Sequence, residues 1–349
     1  MNYIFNHKFK YMLNHKDFNI KNGVLGMKKW LALFMVAMFT LVLAACGQDD
    51  KTSGAGGGDA AGETPPASEE ITITHKLGET PVKKNPSRVV VFDFGILDSV
   101  DKLGVEVLGV PQANIPAYLS KFQDKKYENV GSLKEPDFEK INSIDPDLII
   151  ISGRQQDAYE ELSKIAPTIF LGVDTSKYME SFKENMNTLG QIFGKEAEVE
   201  KELATIDENI KALNEKATAT GKKALIILAN EGKISAYGPG SRFGILHDVF
   251  GFGAVDPNIE VSTHGKDISN EYIVEMNPDY LFVVDRGAAV ATGEGESGAK
   301  AVVENELVNT TNAAKEGNIV YLNPDFWYLS GGGLTSVSEM ITEVDAAVK

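Results

Sequence analysis

From Ile71 onward, short apolar runs alternate with segments of helical periodicity. ITITH (71–75) and RVVVF (88–92) have strand character, FGILDSVDKLG (94–104) is patterned as a helix ended by glycine, and VEVLGV (105–110) returns to strand. LIIIS (148–152) and TIFLGV (168–173) are continuous apolar runs, the mark of strands buried on both faces of a parallel sheet. Residues 178–216 are helical in pattern, and their second half, KEAEVEKELATIDENIKALNEKA, has no proline before a fresh strand, ALIILA (224–229). The alternation predicts an α/β protein. The expected architecture is two Rossmann-like lobes joined by a single long helix: residues 71–177, a helical linker at 178–221, and residues 222–349.

An ungapped internal match supports two related lobes. EKINSIDPDLIIISGR (139–154) aligns with EYIVEMNPDYLFVVDR (271–286), so that Glu139 meets Glu271, Ile141 meets Ile273, Pro146-Asp147 meets Pro278-Asp279 and Arg154 meets Arg286. Asp145 faces Asn277. Each copy predicts a short helix stopped by Pro-Asp, a buried strand, and an arginine just past the strand's end, because proline lacks the N–H a helix needs. Phe94-Gly95-Ile96-Leu97 and Phe243-Gly244-Ile245-Leu246 echo one another as helix starts. The separation is too long for a solenoid period.

The N-terminal pattern is different. In MKKWLALFMVAMFTLVLAAC (27–46), two lysines precede the apolar run Trp30–Ala45, the layout of a secretory signal that is short for a spanning helix. Leu43-Ala44-Ala45-Cys46 is a lipobox, which predicts removal of residues 27–45 and lipidation of Cys46, the chain's one cysteine. Residues 1–26 fit no signal, and Met27 is taken as the start. Residues 46–70 are Gly-, Ala- and acid-rich and too poor in apolar side chains to fold, hence a flexible tether.

Hydrophobic content of 43% and charged content of 24% are ordinary globular usage. The net charge is −16; residues 1–45 hold six lysines and one aspartate, so the mature part stands at −21. That excludes nonspecific nucleic-acid binding, which needs a basic surface. One cysteine excludes a disulfide framework and multi-cysteine metal sites.

Of 34 basic residues only four are arginines: Arg88, Arg154, Arg242 and Arg286. Arg154 and Arg286 follow predicted strands and Arg242 sits between a strand and a helix, the edge at which open α/β sheets bind ligands. A guanidinium is planar, always charged and weakly hydrated, and its fork matches carboxylates and other delocalised anions. Three together predict a polyanionic ligand held between the lobes, while Arg88, at the opposite end of its strand, is assigned to structure. Tyr237 and Trp327 are the aromatics expected to pack on the ligand, Phe326 and Tyr328 standing equally well as core. His264, in STHGKD, is a further candidate contact. Outside the leader, His75, His247 and His264 lack metal-ligand spacing. GPGSRFG (238–244) has the wrong spacing for a dinucleotide loop, and no G-x-S-x-G elbow occurs. No catalytic constellation emerges, so the chain is expected not to be an enzyme.

Together the lipobox, RVVVFDFG, the two E-x-I-x-x-x-x-P-D-strand units, LGQIFGKEAE and FWYLSGGG resemble class III periplasmic-type binding proteins of iron–siderophore and cobalamin uptake. Within them, GSLKEPDFEKI, PDLIIISGRQQ and NMNTLGQIFGK are most similar to petrobactin-binding lipoproteins. The resemblance implies a monomer, lipid-anchored on the outer face of the membrane of a monoderm bacterium. It would deliver a ferric catecholate or catecholate–citrate siderophore to an ABC permease and its ATPase. Haem, cobalamin and hydroxamate siderophores are the alternative cargoes. Iron would be bound only through the siderophore, with no cofactor of the protein's own. The resemblance also implies that one glutamate per lobe, here Glu139 and Glu271, docks on the permease. Without it, both are first-turn carboxylates favoured by the helix dipole, with Asp137 and Ser269 as caps.

Overall fold

The computed structural model describes residues 69–290 and 298–349. The signal segment, Cys46, and the tether up to residue 68 lie outside them. No helix among the described residues is long and apolar enough to cross a membrane.

A hairpin of β1 (Glu70–His75) and β2 (Gly78–Lys83) leads into two sheets. ITITH therefore pairs locally and does not join the larger sheet. The first sheet is wholly parallel, in the order β5-β4-β3-β6-β7, from β3 (Val89–Val91), β4 (Gly109–Val110), β5 (Glu128–Asn129), β6 (Leu148–Ile151) and β7 (Thr168–Phe170). Of VEVLGV only the last two residues pair. The second sheet is mixed, built from β8 (Lys223–Asn230), β9 (Lys233–Tyr237), β10 (Gly253–Ala254), β11 (Lys266–Ile268), β12 (Tyr280–Asp285) and β13 (Ile319–Leu322). Its path is β11-β9-β8-β12-β13, with β10 paired to the start of β8. All residues of β6 and β12 are buried, as strands covered on both faces require.

The internal repeat has a physical meaning. In each copy an isoleucine, Ile141 or Ile273, is fully buried from a short helix, Phe138–Ser143 or Asn270–Met276. Asp145 and Asn277 both take positive φ, 45° and 43°, at the helix ends, a conformation that short polar side chains tolerate. The Pro-Asp carboxylates then tie the start of the neighbouring strand. Asp147 accepts from the backbone N–H of Arg88 at 3.1 Å, and Asp279 from that of Lys223 at 2.9 Å. Arg88 is structural, donating Nε to the Asp145 carbonyl at 2.6 Å and Nη2 to that of Ile144.

In chain order between the sheets come two helices, Tyr178–Phe193 and Glu196–Thr220, the second being the long helix expected from KEAEVEKELATIDENIKALNEKA. They are separated at Gly194, whose φ of 62° only glycine adopts cheaply. The second has 25 residues, about 37 Å of helix, and buries Val199, Leu203, Ile206, Leu213 and Ala217 along one seam. It packs on Tyr178–Phe193 and on the C-terminal helix Leu334–Ala347. That last helix, expected with the second lobe, also crosses to helix Phe94–Lys102 of the first. Its stripe Leu334, Val337, Met340, Ile341 and Val344 belongs to the largest core cluster, which includes Val89 and Phe94 as well as Ala224 and Tyr237. The lobes thus share this cluster, while each sheet also has a smaller cluster of its own.

The crossing is tight and polar. A Cβ on Gly95 would lie 2.7 Å from the Ser330 carbonyl, so only glycine fits. Asp98, 1% exposed, accepts from the backbone N–H groups of Thr335 (3.1 Å) and Ser336 (3.0 Å) and from the Tyr118 hydroxyl (3.0 Å).

Candidate functional site

Three arginines from separate loops converge on one tyrosine. Arg154 enters from the turn Gly153–Ala158 after β6, Arg242 from the loop after β9, and Arg286 directly follows β12. Arg154 Nη2 and Arg242 Nη2 both donate to the Tyr328 carbonyl, at 2.8 and 2.6 Å. Arg242 also lies 4.2 Å from the Tyr328 ring centre, while Arg286 Nε donates to the Tyr328 hydroxyl at 2.9 Å and its Nη1 to Asn230 Oδ1 at 2.7 Å. All four residues are half-buried. Tyr328 is placed by the wide turn Asp325–Leu329, closed by a hydrogen bond from the Ser330 N–H to the Asp325 carbonyl at 3.0 Å. Such π-turns often mark functional positions.

Among the described residues the hydrogen bonds of these guanidiniums go to neutral carbonyls, a hydroxyl and an amide. Burial, and then the charge of Arg154, pull Arg242 below its usual arginine value. Burial pushes the Tyr328 hydroxyl up, but the Arg286 hydrogen bond and the charges of Arg242 and Arg286 outweigh it and leave the phenol below its ordinary value. The Tyr328 shift shows that the arginines favour negative charge on oxygen beside them, and the Arg242 shift that its own charge is partly desolvated and crowded by Arg154. A partly desolvated cluster of like charges gains most from an anion that spans several of them.

Tyr328 borders three cavities of about 720, 480 and 340 Å³. Arg154 and Arg242 line the largest, Arg242 and Arg286 the second, Arg154 and Arg286 the third. Exposed His264 lines the second. Lys134 lines the second and third, and sequence reasoning missed it because one loop lysine among thirty carries no pattern.

The two aromatic expectations need correction. Tyr237 lines the second cavity but is 1% exposed, its ring held edge-on to Phe243 at 4.7 Å, so no ring face is free for a ligand. Trp327 borders the largest cavity yet is 2% exposed, 6.4 Å from both Phe243 and Phe250, with its indole N–H donating to Glu343 at 2.9 Å. The turn at Asp325–Leu329 aims Trp327 into the core and Tyr328 at the arginines. Trp327→Phe should therefore cost about 1–3 kcal/mol of stability, by removing the indole donor from the half-buried Glu343, which keeps only the Asn323 N–H at 3.1 Å, and by emptying part of the volume the indole fills, and change ligand affinity by less than about twofold. Thermal unfolding and calorimetric titration read the two effects separately; a large loss of affinity would restore Trp327 to the site.

Glu139 and Glu271 are exposed, each in the first turn of the helix that precedes β6 or β12. These helices run back against their strands, so their N-termini lie toward the strands' C-terminal ends, the edge that carries Arg154 and Arg286. Asp137 caps its helix by accepting from the Lys140 N–H at 2.9 Å. Ser269 occupies the cap position without a backbone cap bond; its hydrogen bond to Glu271 is what chiefly holds that carboxyl below its usual range.

Among the described residues no group of three or more His, Cys, Asp or Glu could hold a metal ion. Residues 89–326 match the sequence model of a family described as periplasmic binding protein. The chain belongs to the periplasmic binding protein family. Members share the two-lobed α/β design, and their role is substrate binding for transport. Petrobactin-binding protein YclQ of Bacillus subtilis is 53% identical over 322 residues, 91% of this chain and 98% of that protein. Its crystal structure superposes with a TM-score of 0.78, at 55% identity over 80% of this chain and 99% of that one. The catecholate-siderophore binding protein VctP of Vibrio cholerae gives a TM-score of 0.76 at 38% identity, over 80% of this chain and all of that one. Ferric-anguibactin-binding protein FatB of Vibrio anguillarum is 32% identical over 284 residues, 80% of this chain and 88% of that protein.

Proposed function

We propose that this binding protein captures an anionic ferric siderophore of the catecholate or catecholate–citrate class and delivers it to an ABC importer. The observation that carries the reading is the meeting of Arg154, Arg242 and Arg286 around Tyr328 with, among the described residues, only neutral hydrogen-bond partners. A ferric catecholate spreads negative charge over oxygens and flat rings, the chemistry that guanidinium forks and a phenol ring accommodate. The petrobactin, catecholate and anguibactin ligands named for its relatives support the class. Iron is held through the siderophore, and the protein does no chemistry of its own. Lipid attachment at Cys46 keeps a monomer on the extracytoplasmic face of the membrane, with Glu139 and Glu271 meeting basic groups of the permease.

Calorimetric titration of the mature protein with ferric petrobactin, a ferric tris-catecholate, a ferric hydroxamate, haem and cobalamin tests the cargo. Two or more charge-assisted hydrogen bonds separate the ligand classes, so the catecholates should bind at least about 100-fold more tightly than the neutral hydroxamate. Equal or tighter binding of the hydroxamate, haem or cobalamin would overturn the assignment.

A further inference from the structure

The proposed docking glutamates each have an apolar companion on the surface. Among the described residues four large hydrophobic side chains are exposed: Phe138 (38%), Val261 (57%), Leu307 (46%) and Tyr321 (37%). Two of them stand beside the glutamates. Phe138 precedes Glu139 in the first turn of its helix, and Leu307 lines one groove of about 470 Å³ together with Glu271, Val302 and Asn270.

Neither side chain is needed where it is for folding. The helix that begins at Phe138 is capped by Asp137 and anchored by the fully buried Ile141. The turn after Leu307 is anchored by the fully buried Val308. The internal repeat makes the point sharper, because it duplicates the glutamate but not its neighbour: the residue matching Phe138 is Asn270. In the second lobe the apolar group comes instead from the segment at Val308–Thr310, which packs on helix Asn270–Met276. A carboxylate with an apolar companion is thus composed twice, from different parts of the chain.

From this we infer that the docking surface for the permease is a pair of mixed patches, Glu139 with Phe138 and Glu271 with Leu307, each fitted to a basic group set beside an apolar hollow. The inference rests on the docking role proposed above for the two glutamates. Exposed ion pairs alone contribute little and are screened by salt. Interfaces draw their strength from desolvated apolar anchors ringed by polar contacts. The carboxylates select a partner of opposite charge and set orientation, and Phe138 and Leu307 supply the area removed from water.

The test is uptake of ⁵⁵Fe-labelled ferric petrobactin by cells whose own copy is replaced by full-length variants at matched surface levels. Affinity of the purified variants for ferric petrobactin is measured alongside. Phe138→Ala and Leu307→Ala are each expected to slow uptake about 10-fold, equivalent to about 1.4 kcal/mol, with ligand affinity unchanged within about twofold. Tyr321→Ala, an exposed apolar control, should leave uptake normal. Normal uptake by the Phe138→Ala/Leu307→Ala double variant, with uptake lost in Glu139→Gln/Glu271→Gln, overturns the anchors and spares the glutamates. Normal uptake by both double variants removes the whole docking face. A matching fall in ligand affinity would place the effect in the cleft and also overturn the inference.

Discussion

Replacing Arg242 by alanine is expected to weaken ferric-catecholate binding about 10- to 100-fold while leaving thermal stability unchanged or slightly higher. The binding loss follows from one charge-assisted hydrogen-bonding group, worth roughly 1.5–3 kcal/mol. The stability outcome follows from what surrounds it. Arg242 is held below its usual value first by burial and then by the Arg154 charge, so the folded protein carries a cost that alanine removes. Against this stand the bond to the Tyr328 carbonyl and the stacking on its ring. Arg242→Lys should recover little, because an ammonium neither forks nor stacks as a guanidinium does. Arg154→Ala and Arg286→Ala should weaken binding in the same direction, as calorimetry would read directly. Unchanged affinity in all three would take the arginines out of the site.

Asp98→Ala is expected to be the most destabilising single change at the junction of the lobes, costing about 3–5 kcal/mol at pH 5. It strips the acceptor from the backbone N–H groups of half-buried Thr335 and buried Ser336 and from the Tyr118 hydroxyl at once. Its pH dependence has a definite sign. Burial raises the Asp98 carboxyl to about 7, against the lowering effect of the Ser336, Thr335 and Tyr118 hydrogen bonds. An acid raised in the folded state contributes its stability below the unfolded value near 4 and loses it as pH climbs to about 7. The penalty of Asp98→Ala should therefore shrink between pH 4 and pH 7. Urea unfolding of both proteins across that range measures it, and a penalty that grows with pH would show that Asp98 is charged throughout.

How much the sequence reveals depends on the range over which each feature is decided. Asp145 and Asn277 could be matched because a helix end needs a residue that tolerates positive φ, whatever surrounds it. Pro146-Asp147 and Pro278-Asp279 could be matched because each stops a helix and ties the next strand. The arginines were legible as a site because a residue just past a parallel strand falls at the ligand-binding edge by topology alone. Gly194 was visible as a glycine, but its role in dividing the helical segment into two shows only in its backbone angle.

The sequence by itself determined the alternation of strands and helices, the duplicated unit in the two lobes, and the three arginines at strand ends. Those features rest on hydrophobic period and turn stereochemistry, which act over a few residues. Tertiary structure alone decided that Tyr328 rather than Trp327 meets the arginines, that Lys134 joins them, and that the C-terminal helix returns to the first lobe to be held by Asp98. Each of these depends on which surface a side chain meets across the fold. Between adjacent aromatics in one turn, packing against Phe243 and Phe250 made the choice.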